Sequence, residues 1–263
     1  MKQLRTNLDE LRNVLNQISV KHIAEEVKSV NENDNCSEVR DRMKDENFDI
    51  MPVRSSGVII GYVIQSKLTT GICSQQVETI KPIDIVAEST PILKCLDILK
   101  DKGWLFILEN NEIKYIVTKG DLRKAPVRMF LFALINLLEM HFTRMIRKFC
   151  DEGELESLLS EKRIEKAKSF YEDIRVRNEE LDVFDCLQLC DKCTIIRKKD
   201  ELFSLIGIKS KEKANKIFDK VEKLRNNIAH GYDIISGSSW SEVIEVSDKI
   251  ESTINNCEEA SQA

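Results

Sequence analysis

The sequence predicts an α+β chain: an N-terminal α/β repeat pair followed by an all-α antiparallel helical bundle. Three observations carry this. The 263 residues, 42% apolar and 32% charged, suffice for one large core or two ordinary ones. Before Pro126, short β-branched runs alternate with short amphipathic segments, and the pattern returns after about 54 residues. After Pro126, long helical periodicities dominate, and only 9 Gly and 4 Pro in the whole chain favour ordered helix.

The elements follow in order. Leu4, Leu8, Leu11 and Leu15 form one stripe of an N-terminal helix over residues 1–17. Such a stripe packs onto its own domain or pairs with a second helix. Residues 18–125 hold the repeat. Cys36 to Glu46 reads as helix. Ile50-Met51-Pro52-Val53 and Val58-Ile59-Ile60-Gly61-Tyr62-Val63 read as strands joined by Ser55-Ser56-Gly57. In the second copy, Pro91 to Lys100 reads as helix with proline in its first turn, and Trp104 to Leu108 and Ile113 to Val117 as strands around Asn110-Asn111. Each strand–helix–strand–strand–helix copy is too small to be stable alone, so the two are expected to pack together.

Residues 126–263 read as five helices. Phe130, Leu134, Leu137, Leu138, His141, Met145 and Phe149 recur at helical spacing in the first, from Pro126 to about Cys150. Glu156 to about Arg177 and Asp182 to Arg197 give two more. Ser210 caps a fourth reaching Ile228, with Ala214, Ile217, Phe218, Val221 and Leu224 as its apolar face. Ser239-Trp240-Ser241-Glu242 is a capping box opening a last helix to about Cys257. Short connections imply antiparallel neighbours.

Composition also excludes. No uninterrupted apolar run reaches the roughly 20 residues of a membrane span, and the N-terminus lacks a signal-peptide apolar region. The expectation is a cytoplasmic chain with no membrane partner. Its eight cysteines then serve as small buried side chains rather than bridges. Net charge is −5, with 18 basic and 19 acidic residues in 1–125 and 22 and 26 in 126–263. Neither half has the basic footprint of a duplex-DNA binder.

In the repeat, Met51-Pro52-Val53 and Ile116-Val117-Thr118-x-x-Asp121-Leu122 resemble the motifs of the tandem cystathionine-β-synthase (CBS) domain. The resemblance implies a regulatory pocket for an adenine nucleotide (AMP, ADP, ATP or a cyclic oligoadenylate), with Thr118 and Asp121 lining it. The chemistry is intelligible. An aspartate accepts protons from both ribose hydroxyls, and a threonine hydroxyl with free helix N-terminal amides suits phosphate. Ordinary helix capping by the same two residues is the competing reading. The first copy has Ile64 and Lys67 at these positions and has lost both polar anchors.

In the helical part, Leu224-Arg225-Asn226-Asn227-Ile228-Ala229-His230-Gly231 stands at the end of the fourth helix, with Gly231 as its cap. It resembles the Arg-x4–6-His signature of the higher-eukaryote and prokaryote nucleotide-binding (HEPN) superfamily, whose helical domains include metal-independent ribonucleases active as dimers. The resemblance implies Arg225, His230 and Asn226 as catalytic residues, no catalytic cofactor or metal, and an RNA substrate. RNA supplies its own nucleophile, the 2′-hydroxyl. Histidine as a residue type titrates near neutrality and suits proton transfer; a guanidinium suits the phosphate. A homodimer would bring two of each together. The helix-end alternative is an Arg–carboxylate pair and a histidine interacting with the helix dipole.

Three further groups remain. Glu139 and His141 on the first bundle helix are expected at its surface, with assistance to the site as the alternative. Cys186, Cys190 and Cys193 share one helix face and lack a fourth zinc ligand, so packing is expected. Lys198-Lys199 and Lys209 to Lys216 are candidate phosphate contacts among a solvated surface. The combined expectation is a ribonuclease regulated by an adenine nucleotide, with the segment near Pro126 as coupling element and a role in toxin or antiviral defence. The alternative is a non-catalytic, nucleotide-sensing assembly protein whose bundle docks a partner.

Overall fold

In the computed structural model, which describes residues 8–176 and 181–262, the first element is helix α1, Leu8–Gln17. Leu4 of the leucine stripe lies outside the described residues. The described residues up to Gln17 and from Ala125 onward form one unit; Ile18–Lys124 form the other.

The second unit contains β1 (Glu25–Glu26), β2 (Val30–Asn31), α2 (Cys36–Asp45), β3 (Ile50–Ser55), β4 (Val58–Ile64), β5 (Ile85–Ala87), α3 (Ile92–Lys102), β6 (Trp104–Glu109) and β7 (Glu112–Thr118). The two copies repeat down to backbone detail. β2 pairs parallel with β3, which forms a hairpin with β4; β5 pairs parallel with β6, which forms a hairpin with β7. Each hairpin has a register shift at the corresponding place, Val53/Arg54 and Ile107/Leu108. Each turn has two successive positive φ values, Ser56 at 49° and Gly57 at 86°, Asn110 at 52° and Asn111 at 65°. That is the tight turn whose twist matches a hairpin, and it selects Gly and Asn.

Each copy completes the other. β1, which precedes the first copy, pairs antiparallel with β7 of the second. The segment at Glu78, which precedes the second copy, exchanges both backbone hydrogen bonds with Tyr62 of β4. Tyr62 also stacks edge-on against Trp104, ring centroids 4.9 Å apart, and Trp104 lies 5.0 Å from Phe106. The first copy buries Val39, Met43, Met51, Val53 and Val63 in one cluster; Leu96, Leu99, Leu105 and Phe106 are buried in the second. One difference from the sequence reading concerns the closing helices. Both are single 3₁₀ turns, Gln65–Lys67 and Lys119–Arg123, ended by the extended residues Leu68 and Lys124.

The helical unit comprises α1, α4 (Ala125–Phe149), α5 (Leu155–Leu158), α6 (Glu161–Arg175), α7 (Leu189–Lys198), α8 (Asp200–Leu205), α9 (Lys211–Ala229) and α10 (Trp240–Gln262). α4 is its centre and packs against α1, α7, α8, α9 and α10. Among the described residues α4 is the one helix long and apolar enough to cross a membrane by length and composition, with 61% of its most apolar window buried inside the protein. It contains no uninterrupted apolar run of that length, because Asn136, Glu139 and His141 punctuate it. α1 is tied to α10 by Arg12, which reaches Glu251 and Asn255 at 2.6 Å and Glu258 at 2.9 Å.

Two predicted helices are shorter than their patterns. Glu156 to Arg177 breaks at Leu159, which adopts an extended conformation and is buried, so that α6 restarts after Ser160. Asp182 to Arg197 is helical only from Leu189. Asp182 accepts hydrogen bonds from the Phe184 and Asp185 amides, and Asp185 from that of Asp182, local bonds that compete with helix. Arg147 locks the turn, donating to Asp182 through Nε (2.6 Å) and Nη2 (2.8 Å) and reaching Asp185 at 2.8 Å. The capping box before α10 forms as read: Ser239 Oγ accepts from Glu242 N, and Glu242 Oε2 from Ser239 N, both at 3.2 Å.

Candidate functional site

Thr118 ends β7 and caps the turn Lys119–Arg123. Its backbone N–H and its hydroxyl both donate to Asp121 Oδ2, at 2.7 and 2.9 Å, and its Oγ1 accepts from Gly120 N at 3.2 Å. The second carboxylate oxygen, Oδ1, receives Lys124 Nζ at 2.7 Å. Asp121 is buried, so this is a closed capping network in which each carboxylate oxygen already has a partner. Burial pulls the Lys124 ammonium down, but Asp121 and Glu25 outweigh it and hold its pKa above the ordinary lysine value. In the first copy, Ile64 stands at the cap with no side-chain hydrogen bond, and Lys67 turns to Glu78 at 2.7 Å. The polar pair is therefore peculiar to the second copy.

In the helical unit, α9 delivers Arg225 and Asn226 one turn before His230, which is its C-terminal cap. Arg225 Nη1 donates to Asn226 Oδ1 at 2.9 Å, so two of the three predicted residues touch. Asn226 orients the guanidinium rather than the imidazole. His230 is exposed, and its ring lies 5.9 Å from that of Tyr232, itself exposed. Gly231 follows at φ 72°, a left-handed conformation that lets the Tyr232 amide return to Asn227 O.

Two residues that sequence reasoning missed hold this end in place. Arg128, on α4, donates to Tyr232 O at 2.7 Å and reaches Ile228 O at 3.3 Å and Asn227 O at 3.5 Å. A guanidinium here meets the carbonyls that a helix C-terminus leaves unsatisfied. Asn227 is buried, and its Nδ2 donates to Ser236 O at 3.1 Å and Ile234 O at 3.4 Å, stapling the following loop to the helix. The signal available for Asn227 was its place on the apolar face of α9. Arg128 gave none, since its partners lie about a hundred residues away.

The other candidates resolve differently. His141 is not at the surface: it is 1% exposed, with Nε2 3.5 Å from Glu258 of α10, because its position falls on the face of α4 that packs in the core. Glu139 pairs at 2.9 Å with Lys192, which is itself buried. Cys186 precedes α7 rather than sharing its face. Cys186 and Cys193 are buried, while Cys190 is partly accessible with Arg163 Nη1 2.7 Å from its sulfur. None of the eight cysteines is joined in a disulfide, and among the described residues no group of three His, Cys, Asp or Glu is placed to hold a metal ion.

Comparison with known proteins bears on the first of these sites. The family model of the CBS domain matches residues 76–128, a stretch that takes in β5 to β7, the Thr118 turn and the start of α4. Residues 76–128 are a CBS domain. Similar solved structures include the CBS domain of the bacterial CNNM/CorC family Mg2+ transporter in complex with ATP, at 13% identity and a TM-score of 0.36 over 44% of this chain and 91% of that one. A CBS domain-containing protein from Bacillus anthracis str. Ames Ancestor matches at 13% identity and 0.37, over 42% and 94%. A hemolysin-like protein containing a CBS domain from Oenococcus oeni PSU matches at 14% and 0.35, over 44% and 96%. At these TM-scores the likenesses carry no further argument. A search of curated protein sequences returned no match.

Proposed function

We propose that the chain is a metal-independent RNA endonuclease whose CBS domain senses an adenine nucleotide. The observation that carries the nuclease reading is an exposed imidazole, His230, on a helix end braced from both sides by Arg128 and Asn227. Preorganisation of this kind is what proton transfer requires, because a catalytic group must stand within hydrogen-bond reach of a defined atom. His230 takes the proton of the 2′-hydroxyl or returns one to the leaving 5′-oxygen. Arg225, held by Asn226, stabilises the charge on the phosphate. One chain offers one such histidine, so the complete acid–base pair belongs to a homodimer. Exposed Met129, Phe132 and Tyr232 support that reading; Phe132 lies one turn beyond Arg128 on the same helix face.

The CBS match over residues 76–128 takes in Thr118 and Asp121, and an adenine nucleotide is the ligand proposed there. A ribose would take the Asp121 oxygens from Thr118 and Lys124, so binding opens the capping network described above. The test of the nuclease is incubation of the purified chain with end-labelled RNA in EDTA. Products ending in 2′,3′-cyclic phosphate, lost by a factor of about 10²–10⁴ in His230→Ala, support it. RNA left intact with and without AMP, ADP, ATP or cyclic oligoadenylates leaves a non-catalytic sensor whose helical unit docks a partner.

A further inference from the structure

Helix α9 carries Lys213, Lys216, Lys220 and Lys223 at helical spacing, one stripe along its length, with Lys209 just before its start. Lys223 donates to Gly237 O of the loop before α10, and Asn227 is buried and bonded to that same loop, so the open part of the stripe runs from Lys209 to Lys220. At the N-terminal half of this stripe, α9 and α10 enclose a cavity of about 470 Å³. Its floor is apolar, built from Ile208, Ile217 and Val246, and its rim holds Lys209, Lys213, Lys216, Lys220 and Lys249 against the single carboxylate of Glu245. Lys216 pairs with Glu212 at 2.8 Å, and Lys220 lies 3.5 Å from Glu242 and 4.0 Å from Glu245. Among the described residues no carboxylate lies within ion-pair distance of Lys209, Lys213 or Lys249. Exposed ion pairs such as that of Lys216 contribute little and exchange readily for a better anion.

We infer that this lysine-rimmed cavity is an RNA-docking subsite, which seats one unstacked base on its apolar floor while the lysine stripe carries the phosphodiester backbone along α9 toward His230. Lys213 and His230 are separated by a helix length of about 25 Å at ~1.5 Å per residue, so the occupant spans several nucleotides. A compact polyphosphate would meet the lysines but leave the apolar floor of Ile208, Ile217 and Val246 unused. A duplex presents no free base for the floor, whereas a single strand does. The naming of the polyanion as RNA rests on the nuclease reading of His230; the cavity and its charge do not.

The test is fluorescence anisotropy of a 5′-labelled 12-nucleotide single-stranded RNA with the full chain in EDTA, using His230→Ala to prevent cleavage during the measurement. Adding Lys209→Ala, Lys213→Ala and Lys249→Ala to that background is expected to weaken binding at least tenfold at low salt. It should also flatten the slope of log Kd against log salt by about 0.7 for each phosphate no longer neutralised. The control pair Lys162→Ala and Lys166→Ala on α6, also exposed, should change neither. Affinity and slope unchanged in the triple variant overturn the subsite, even if the wild type cleaves RNA. Groove-dependent RNA binding without any cleavage supports the subsite and removes the nuclease. Displacement of the probe by duplex RNA as readily as by single strand, or binding of polyglutamate with no binding of RNA, overturns the proposed occupant.

Discussion

Arg128→Met removes one of the two braces of the His230 end while keeping most of the side chain's bulk. The loss can be worked from the three hydrogen-bond distances. Only the 2.7 Å bond to Tyr232 O is short; those at 3.3 and 3.5 Å contribute little. A charged hydrogen bond is worth about 1.5–3 kcal/mol, and partial exposure places this one at the lower end. A cation at a helix C-terminus adds about 0.3–1 kcal/mol. The sum is about 2 kcal/mol. For a unit of this size that lowers the melting temperature by about 4–8 °C. Hydrogen exchange at the amides of Gly231 and Tyr232 should rise roughly 30-fold, since about 1.4 kcal/mol is a factor of ten. Hydrogen–deuterium exchange by mass spectrometry alongside calorimetry reads both quantities. Arg128→Lys should recover only the dipole part, because an ammonium cannot fork between three carbonyls. Exchange at residues 228–234 within twofold of wild type, with an unchanged melt, would refute the claim that Arg128 fixes this end.

The other predictions concern separate parts of the molecule. A Cβ at Gly61 would collide with Val77 Cγ1 and stand 2.5 Å from Glu78 O, so Gly61→Ala should cost about 1–3 kcal/mol in a thermal melt. Gly153→Ala, with nothing within 4 Å of the new atom, is the neutral comparison. Asp121→Ala should lose about 1 kcal/mol with the cap and abolish any rise in melting temperature caused by ATP; a full ATP response in this variant would remove Asp121 as the ribose anchor. Burial pushes the thiols of Cys73, Cys95 and Cys257 up to about 12, so at pH 8 they remain protonated as well as enclosed. Iodoacetamide followed by peptide mapping should therefore modify Cys190 first, and rapid alkylation of those three in the native chain would contradict their placement.

Features set by neighbours along the chain were legible in the sequence. The turns at Ser56-Gly57 and Asn110-Asn111 announce themselves because positive φ at two successive residues restricts residue type. The Ser239/Glu242 box and the Ser210 cap each lie within four consecutive residues. The positions that define the site were less legible. The motif marks Asn226 as a catalytic residue without saying what it contacts, and it accepts from the guanidinium beside it. The surface expectation for His141 failed because its spacing fits either a surface or a core face, and the packing of α10 against α4 decides between them. Arg128 could not be found at all, since its partners are backbone carbonyls whose positions exist only after α9 has docked on α4. Asp182 and Asp185 misled in the opposite direction. They sit in a helix-like pattern, but their carboxylates prefer their own amides and Arg147.

The reaction at His230 can be tested most directly by its product ends. End-labelled single-stranded RNA is incubated in EDTA with wild type and with His230→Ala, each across AMP, ADP, ATP and cyclic oligoadenylates, and the fragments are resolved for terminal phosphate chemistry. Wild type is expected to give 2′,3′-cyclic phosphate ends in a yield that changes with an adenine nucleotide, and the variant to lose them. Cleavage that persists undiminished in His230→Ala, or RNA that stays intact under every condition, would contradict that expectation.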